Sequence, residues 1–156
     1  MRPLSLAAFV ASATLLASGC ATDASSIERA DVMTVAHHVA TDYATALNDN
    51  DRTAFGALFA PDARYVNLQG QFLRGRAEIV STYWATRGSQ PAGVRTVTHV
   101  EGARAITGDA IVEVMRLEQV NMPSAPGGIQ AARLTLTLAK RGRDWVIVQA
   151  QASAPG

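Results

Sequence analysis

YATALNDNDRTAFGALFAPDARYVNLQGQFLRG, from Tyr43 to Gly75, is the stretch on which the fold of this chain turns. Tyr43, Ala44 and Leu47 close an apolar helical stripe, and Asn48-Asp49-Asn50 ends it. Asp51 can accept from the free N–H groups of a following helix, as an N-cap. That helix carries Phe55, Leu58 and Phe59 on one side. Pro61 has no N–H and disfavours helix at Ala60, so the chain turns out at Pro61-Asp62. Ala63 to Leu68 then reads as a strand stopped by Gly70, and Gln71 to Leu73 as its short return, broken by Gly75.

Upstream, Met33, Ala36 and Ala40 extend the stripe of the first helix. Ser25 and Glu28 have capping-box spacing, which starts that helix at Ser25 or Ser26. His37 and His38 are adjacent and point about 100° apart, so they cannot both face a core and make poor joint metal ligands. Downstream, Arg76 to Thr86 reads as a third helix with Ile79, Val80 and Tyr83 inward and Trp84 beside them. A Gly/Pro-rich loop over 87–93 follows. The remainder is strand: Val94 to Thr107, Ala110 to Asn121, Ile129 to Ala139 and Trp145 to Ala152.

The N-terminus reads as targeting sequence. Arg2 is a minimal charged region, and the apolar run Leu4 to Ala17 is too short to span a bilayer well. It ends in Leu16-Ala17-Ser18-Gly19-Cys20, which resembles a bacterial lipobox. On that resemblance residues 1–19 are a lipoprotein signal peptide, Cys20 is the lipidated mature N-terminus, and 20–26 is a tether. Ala21, in place of an aspartate after Cys20, implies the outer rather than the inner membrane, and the domain faces the periplasm. A plain signal peptide containing a cysteine is the alternative. Cys20 is the single cysteine, so no internal disulfide forms.

There are 14 Lys+Arg and 13 Asp+Glu; losing Arg2 with the signal leaves 13 of each. A neutral chain has no basic field for nucleic acid. The length from 27 to 153 fits one domain. The sequence contains no HExxH or CxxC, and no P-loop, GxGxxG or GxSxG. The expectation is therefore no metal and no cofactor.

"ALNDNDRTAFGALFAPDA" followed by "GRAEI" resembles the nuclear transport factor 2-like superfamily in its SnoaL-like branch, and "RDWVIVQAQAS" resembles the closing strand of SgcJ/EcaC-type members. The resemblance implies an α+β cone of about three N-terminal helices on a strongly curved, mainly antiparallel sheet, with a central pocket. Leu134, Leu136 and Leu138 share one face, as do Val146, Val148 and Ala150, with Trp145 and Ile147 opposite. Apolar residues on both faces suggest a sheet covered on both sides. The family resemblance adds a homodimer through the side without helices.

A two-residue turn at Gly108-Asp109 places Thr107 opposite Ala110. An unbroken register then sets Arg104 against Glu113, Glu101 against Arg116 and His99 against Glu118, three complementary pairs. Periodicity does not say which face lines the cone. Similarity to the ketosteroid isomerases places the face of Val114, Arg116 and Glu118 inward, and with it His99 and Glu101. An inward His99–Glu118 pair has the chemistry of a general base oriented by a carboxylate, and is the candidate catalytic pair. Ordinary cross-strand pairing near a wet rim is the alternative.

The same comparison matches Tyr43 to the isomerases' oxyanion-hole tyrosine, but it puts Asn67 where they have the general-base aspartate. It puts no acid near Thr135 or Arg133. Steroid-type isomerisation is therefore not expected. Tyr43, Asn67, Trp84, Arg116 and Arg133 are the candidate ligand-binding residues, each with a packing or pairing alternative. Arg133, on an apolar strand, needs a partner, and Glu118 or Glu101 is the natural one. Three functions stay open. One is a lipid-anchored module binding a small, largely apolar ligand, which the lost acids favour. Another is an isomerase, cyclase or dehydratase; some SgcJ/EcaC-type members are labelled oxidoreductase, although no nucleotide or flavin motif is present. The third is an accessory interaction lipoprotein.

Overall fold

The structure is a computed structural model that describes residues 29–87 and 90–155. The expected signal peptide, the expected lipidation site Cys20, the expected tether and the expected helix start at Ser25 or Ser26 lie outside the described residues. Helix α1 (Arg29–Asn48) buries Val32, Ala36, Val39, Ala40, Tyr43, Ala46 and Leu47. The stripe is rotated slightly from the expected one, since Met33 and Ala44 are only half-buried. His37 and His38 are both exposed. Asn50 ends the helix in the left-handed region at φ 55°. The next residue, Asp51, caps α2 (Arg52–Ala57) through its carboxylate, which accepts from Thr53 N at 2.9 Å and Ala54 N at 2.8 Å.

Strand β1 (Phe59–Val66) starts earlier than expected, and Pro61 lies inside it. The pairing of β1 with its neighbour is irregular between Phe59 and Arg64, so the missing N–H of Pro61 breaks no ladder there. The β1–β2 hairpin returns through β2 (Phe72–Arg74) and closes onto α3 (Arg76–Arg87). Gly75 makes that corner at φ 85°, and a side chain there would meet the Pro61 carbonyl at 3.3 Å.

Four long strands complete the sheet: β3 (Arg95–Thr107), β4 (Ala110–Val120), β5 (Ile129–Arg141) and β6 (Asp144–Ser153). The order is β2-β1-β6-β5-β4-β3, with β1 parallel to β6 and every other pair antiparallel. This is an α+β fold in which three helices cover one face of a curved mixed sheet. Helix α1 lies across β3, where Thr98 Oγ1 donates to Ala40 O and Asn48 Nδ2 donates to Thr96 O, both at 2.8 Å.

The covered face is set by alternation. Along β4 Ile111, Glu113, Met115 and Leu117 are buried; along β5 Ala132, Leu134, Leu136 and Leu138 are buried. The β5 leucines therefore belong to the core under the helices. A bulge between Thr137 and Leu138 shifts the pairing with β6, so Ile147, Ala150 and Ala152 are buried together. The expected grouping of Val146, Val148 and Ala150 on one face fails because of that extra residue.

Candidate functional site

The hairpin register differs from the unbroken one. Thr107 does face Ala110, but β3 bulges at Ile106 and again at Glu101. Each bulge adds one residue to β3, so His99 faces Arg116, Val97 faces Glu118 and Ala103 faces Glu113. The expected pairing of Arg104 with Glu113 and of Glu101 with Arg116 does not form. His99 and Glu118 remain diagonal neighbours, with Nε2 3.9 Å from Oε2.

The expected inward placement of His99, Glu101, Arg116 and Glu118 is corrected: they lie on the outer face. Their strand neighbours Met115 and Leu117 take the core positions, and a slip of one residue inverts every side chain of a strand. The His99 side chain is 58% exposed, and that of Glu118 is 19% exposed. Arg133, on the same outer face, holds Glu101 through two hydrogen bonds, Nε–Oε2 at 2.6 Å and Nη2–Oε1 at 3.1 Å. Glu101 is the partner expected for it, but outside the cone. This bidentate contact keeps the Glu101 carboxylate below its ordinary pKa and raises that of Arg133. Arg116 Nε donates to Glu118 Oε1 at 2.6 Å. His99, Glu101, Arg116, Glu118 and Arg133 thus form one charged network across β3, β4 and β5, away from the helices.

The cone itself opens beside Asn67. Its mouth is a cavity of about 620 Å³ whose walls include Tyr65, Leu68, Tyr83, Gln119, Met122 and Gln130. A deeper extension of about 90 Å³ shares Tyr65, Leu68, Tyr83, Gln119 and Gln130 and ends on Leu117, Ala132 and Leu134. Asn67 lines the mouth, but its amide is already engaged in the β1–β2 turn. Its Oδ1 accepts from Gln69 N at 3.1 Å and Gln71 N at 2.9 Å, and its Nδ2 donates to Gln71 Oε1 at 2.7 Å. Trp84 packs on Phe55 with ring centres 5.2 Å apart and is not among the residues lining the mouth, so the expected wall is not there.

Tyr43 lies fully buried behind the mouth, edge-on to Phe55 at 5.1 Å and to Tyr83 at 6.3 Å. Its hydroxyl is near those of Tyr83 and Tyr65, yet among the described residues it completes no hydrogen bond. Burial raises the pKa of all three phenols, so each stays a protonated donor at neutral pH. Two of the three, Tyr65 and Tyr83, line the cavity. A cluster of phenolic donors behind a mouth lined by apolar and amide side chains together with Thr82, Thr86, Arg87 and Ser124 suits a ligand oxygen.

Glu113 is not among the candidate site residues because the unbroken hairpin register pairs it with Arg104. It is 0% exposed, and neither carboxylate oxygen has a hydrogen-bond partner among the described residues. Burial alone pushes its carboxyl up to about 8. The signal was present in the Leu-Thr-Leu-Thr-Leu alternation of β5 (Leu134 to Leu138). The unbroken β4–β5 register sets Leu136 opposite Glu113 and so marks Glu113 as inward.

A separate groove of about 650 Å³ runs along the flank between α1, α2 and the β5–β6 turn. Asp42, Asp49, Asp51 and Asp144 line it, and none of the orphaned buried groups lies on it. Among the described residues no cluster of three His, Cys, Asp or Glu could hold a metal ion, and no helix is long and apolar enough to cross a membrane.

Comparison with known proteins agrees with the cone. The chain belongs to the SnoaL-like domain family, whose model matches residues 36–156. Among solved structures, it is similar to an uncharacterized protein with a cystatin-like fold from Caulobacter vibrioides. That pair is 25% identical over 81% of this chain and 91% of the other, with a TM-score of 0.67. A protein of unknown function with a cystatin-like fold from Nostoc punctiforme is 17% identical over 83% and 95%, with a TM-score of 0.70. A ketosteroid isomerase-like protein from Erwinia carotovora atroseptica is 18% identical over 79% and 95%, with a TM-score of 0.63. Among curated proteins none matches the chain.

Proposed function

We propose that this protein is a binding module that takes a small, largely apolar ligand carrying an acceptor oxygen into the mouth of its cone. The observation that carries the reading is the mouth cavity with Tyr65 and Tyr83 in its wall and the buried Tyr43 hydroxyl clustered with theirs behind it. The apolar wall supplies affinity, and the phenols supply orientation. An enzyme of isomerase, cyclase or dehydratase type is the second reading, favoured by the same phenols, which suit a developing oxyanion. His99 and Glu118 do not serve it inside the cone, because they stand on the outer face.

The SgcJ/EcaC-type ending assigns the chain to that branch of the family. The lipobox-like sequence assigns it to the periplasmic side of a bacterial membrane, anchored through Cys20, with an accessory interaction role as the alternative. The outer sheet face, with Val97, Val112 and Val114 half-buried beside the charged network, is the surface for a second copy. The cavity reading is tested by Gln119→Trp, which fills the neck shared by the mouth and its extension. Binding of a small aromatic ketone, followed by calorimetry, is lost in that variant; unchanged binding contradicts the reading.

A further inference from the structure

The inward row of β4 reads, from the mouth to the closed end, Gln119, Leu117, Met115, Glu113 and Ile111. The open cavity stops at Leu117, and Glu113 lies four residues deeper, roughly 13 Å at strand spacing. Only Met115 stands between them on that row, and it is fully buried. Methionine is unbranched and adapts its packing most easily of the apolar side chains. Beside Glu113, β3 presents the small Ala103 and β5 presents Leu136. A carboxyl with two unpartnered oxygens in this place is a group with unused bonding capacity in the packed apolar core beneath the cavity.

We propose that Glu113 is a second, deep recognition point of the cone: an elongated apolar ligand displaces Met115 and brings a hydroxyl or carbonyl oxygen to the Glu113 carboxyl. This rests on the reading of the mouth as a ligand site, and it extends the ligand class from a compact molecule to a chain with an uncharged oxygen at its buried end. The protonated carboxyl donates to that oxygen, and its other oxygen accepts from a hydroxyl. A cationic end group is disfavoured, because it would leave an ion pair with no further hydrogen bonds in the core.

Decanol and naphthalene are the probes, measured by calorimetry on wild type, Glu113→Leu and Glu113→Gln. Naphthalene is too short to reach Glu113, and it binds all three proteins equally. Decanol binds the leucine variant about tenfold more weakly than wild type, the effect of one lost net hydrogen bond, and binds the glutamine variant in between. Leucine adds apolar surface, so a purely hydrophobic tube would show the opposite order. Decanol also shifts the infrared carbonyl band of the protonated Glu113 in wild type. Equal decanol affinities, an unshifted band, or naphthalene binding without decanol binding overturns the deep site and leaves the mouth intact. Failure of decanol, naphthalene and the small aromatic ketone alike in all three proteins overturns the deep site and the mouth together.

Discussion

Replacing Glu113 by glutamine should stabilise the protein, and by an amount that depends on pH. In the folded state burial holds the carboxyl up to about 8, against an ordinary 4.5. Below about pH 4.5 both folded and unfolded chains carry the proton, and the two states are balanced. Between 4.5 and 8 the unfolded chain releases it and the folded chain keeps it, so the folded state binds more protons and stability falls as pH rises. The slope is about 1.4 kcal/mol per pH unit, which accumulates to about 3 kcal/mol at neutral pH. Above pH 8 both states are ionised and no further loss accrues. Glutamine keeps the shape and has no proton to lose, so the variant lacks this term altogether. Urea denaturation of both proteins from about pH 5 to about pH 8 isolates it, because every other titrating group contributes equally to both. The expected result is a stability difference that widens in favour of Glu113→Gln by about 1 kcal/mol per pH unit. A difference that stays flat across this range would mean that the carboxyl titrates normally, and the burial argument would fail.

Three further outcomes follow from the same structure. Leu136→Ala should cost about 2–5 kcal/mol in denaturant titrations, since Leu136 is a fully buried core residue; a change below about 1 kcal/mol would place it elsewhere. Asp51→Ala removes the acceptor for Thr53 N and Ala54 N and should cost about 1 kcal/mol, with Asp51→Asn recovering most of it. On the proposed lipid anchoring, Cys20→Ser should move the protein from the membrane fraction to the soluble one, or leave its signal uncleaved; an unmodified residue 20 in the wild type by mass spectrometry would refute the anchor.

Much of the fold was legible because it rests on local rules. The Asp51 cap, the three helices, and the strand breaks at Gly108-Asp109 and in the charged turn Lys140 to Asp144 were all visible in turn and capping chemistry. Of the candidate residues, Asn67 lines the mouth and Tyr43 lies buried behind it, whereas the sequence was illegible along β3 and β4. A bulge leaves no mark in composition: Glu101 and Ile106 look like ordinary strand residues, and each shifts the pairing beyond it by one. Complementary charges then misled, since His99, Glu101, Arg116 and Glu118 pair well in more than one register. β4 also carries apolar residues on both faces, with Val112 and Val114 opposing Ile111, Met115 and Leu117, so its pattern alone does not name the inner side. Local chemistry places Phe59 at a helix end and Pro61 in a turn, but an irregular parallel pairing draws both into β1.

The central claim is that the mouth of the cone is the ligand site, and NMR titration of the isotope-labelled domain with a small aromatic ketone tests it most directly. The account predicts saturable shifts centred on Tyr65, Tyr83, Gln119 and Leu117, with the Tyr43 ring following as its hydroxyl gains a partner. Shifts confined to the flank groove of Asp42, Asp49 and Trp145, or to the outer face around His99 and Arg116, would contradict it.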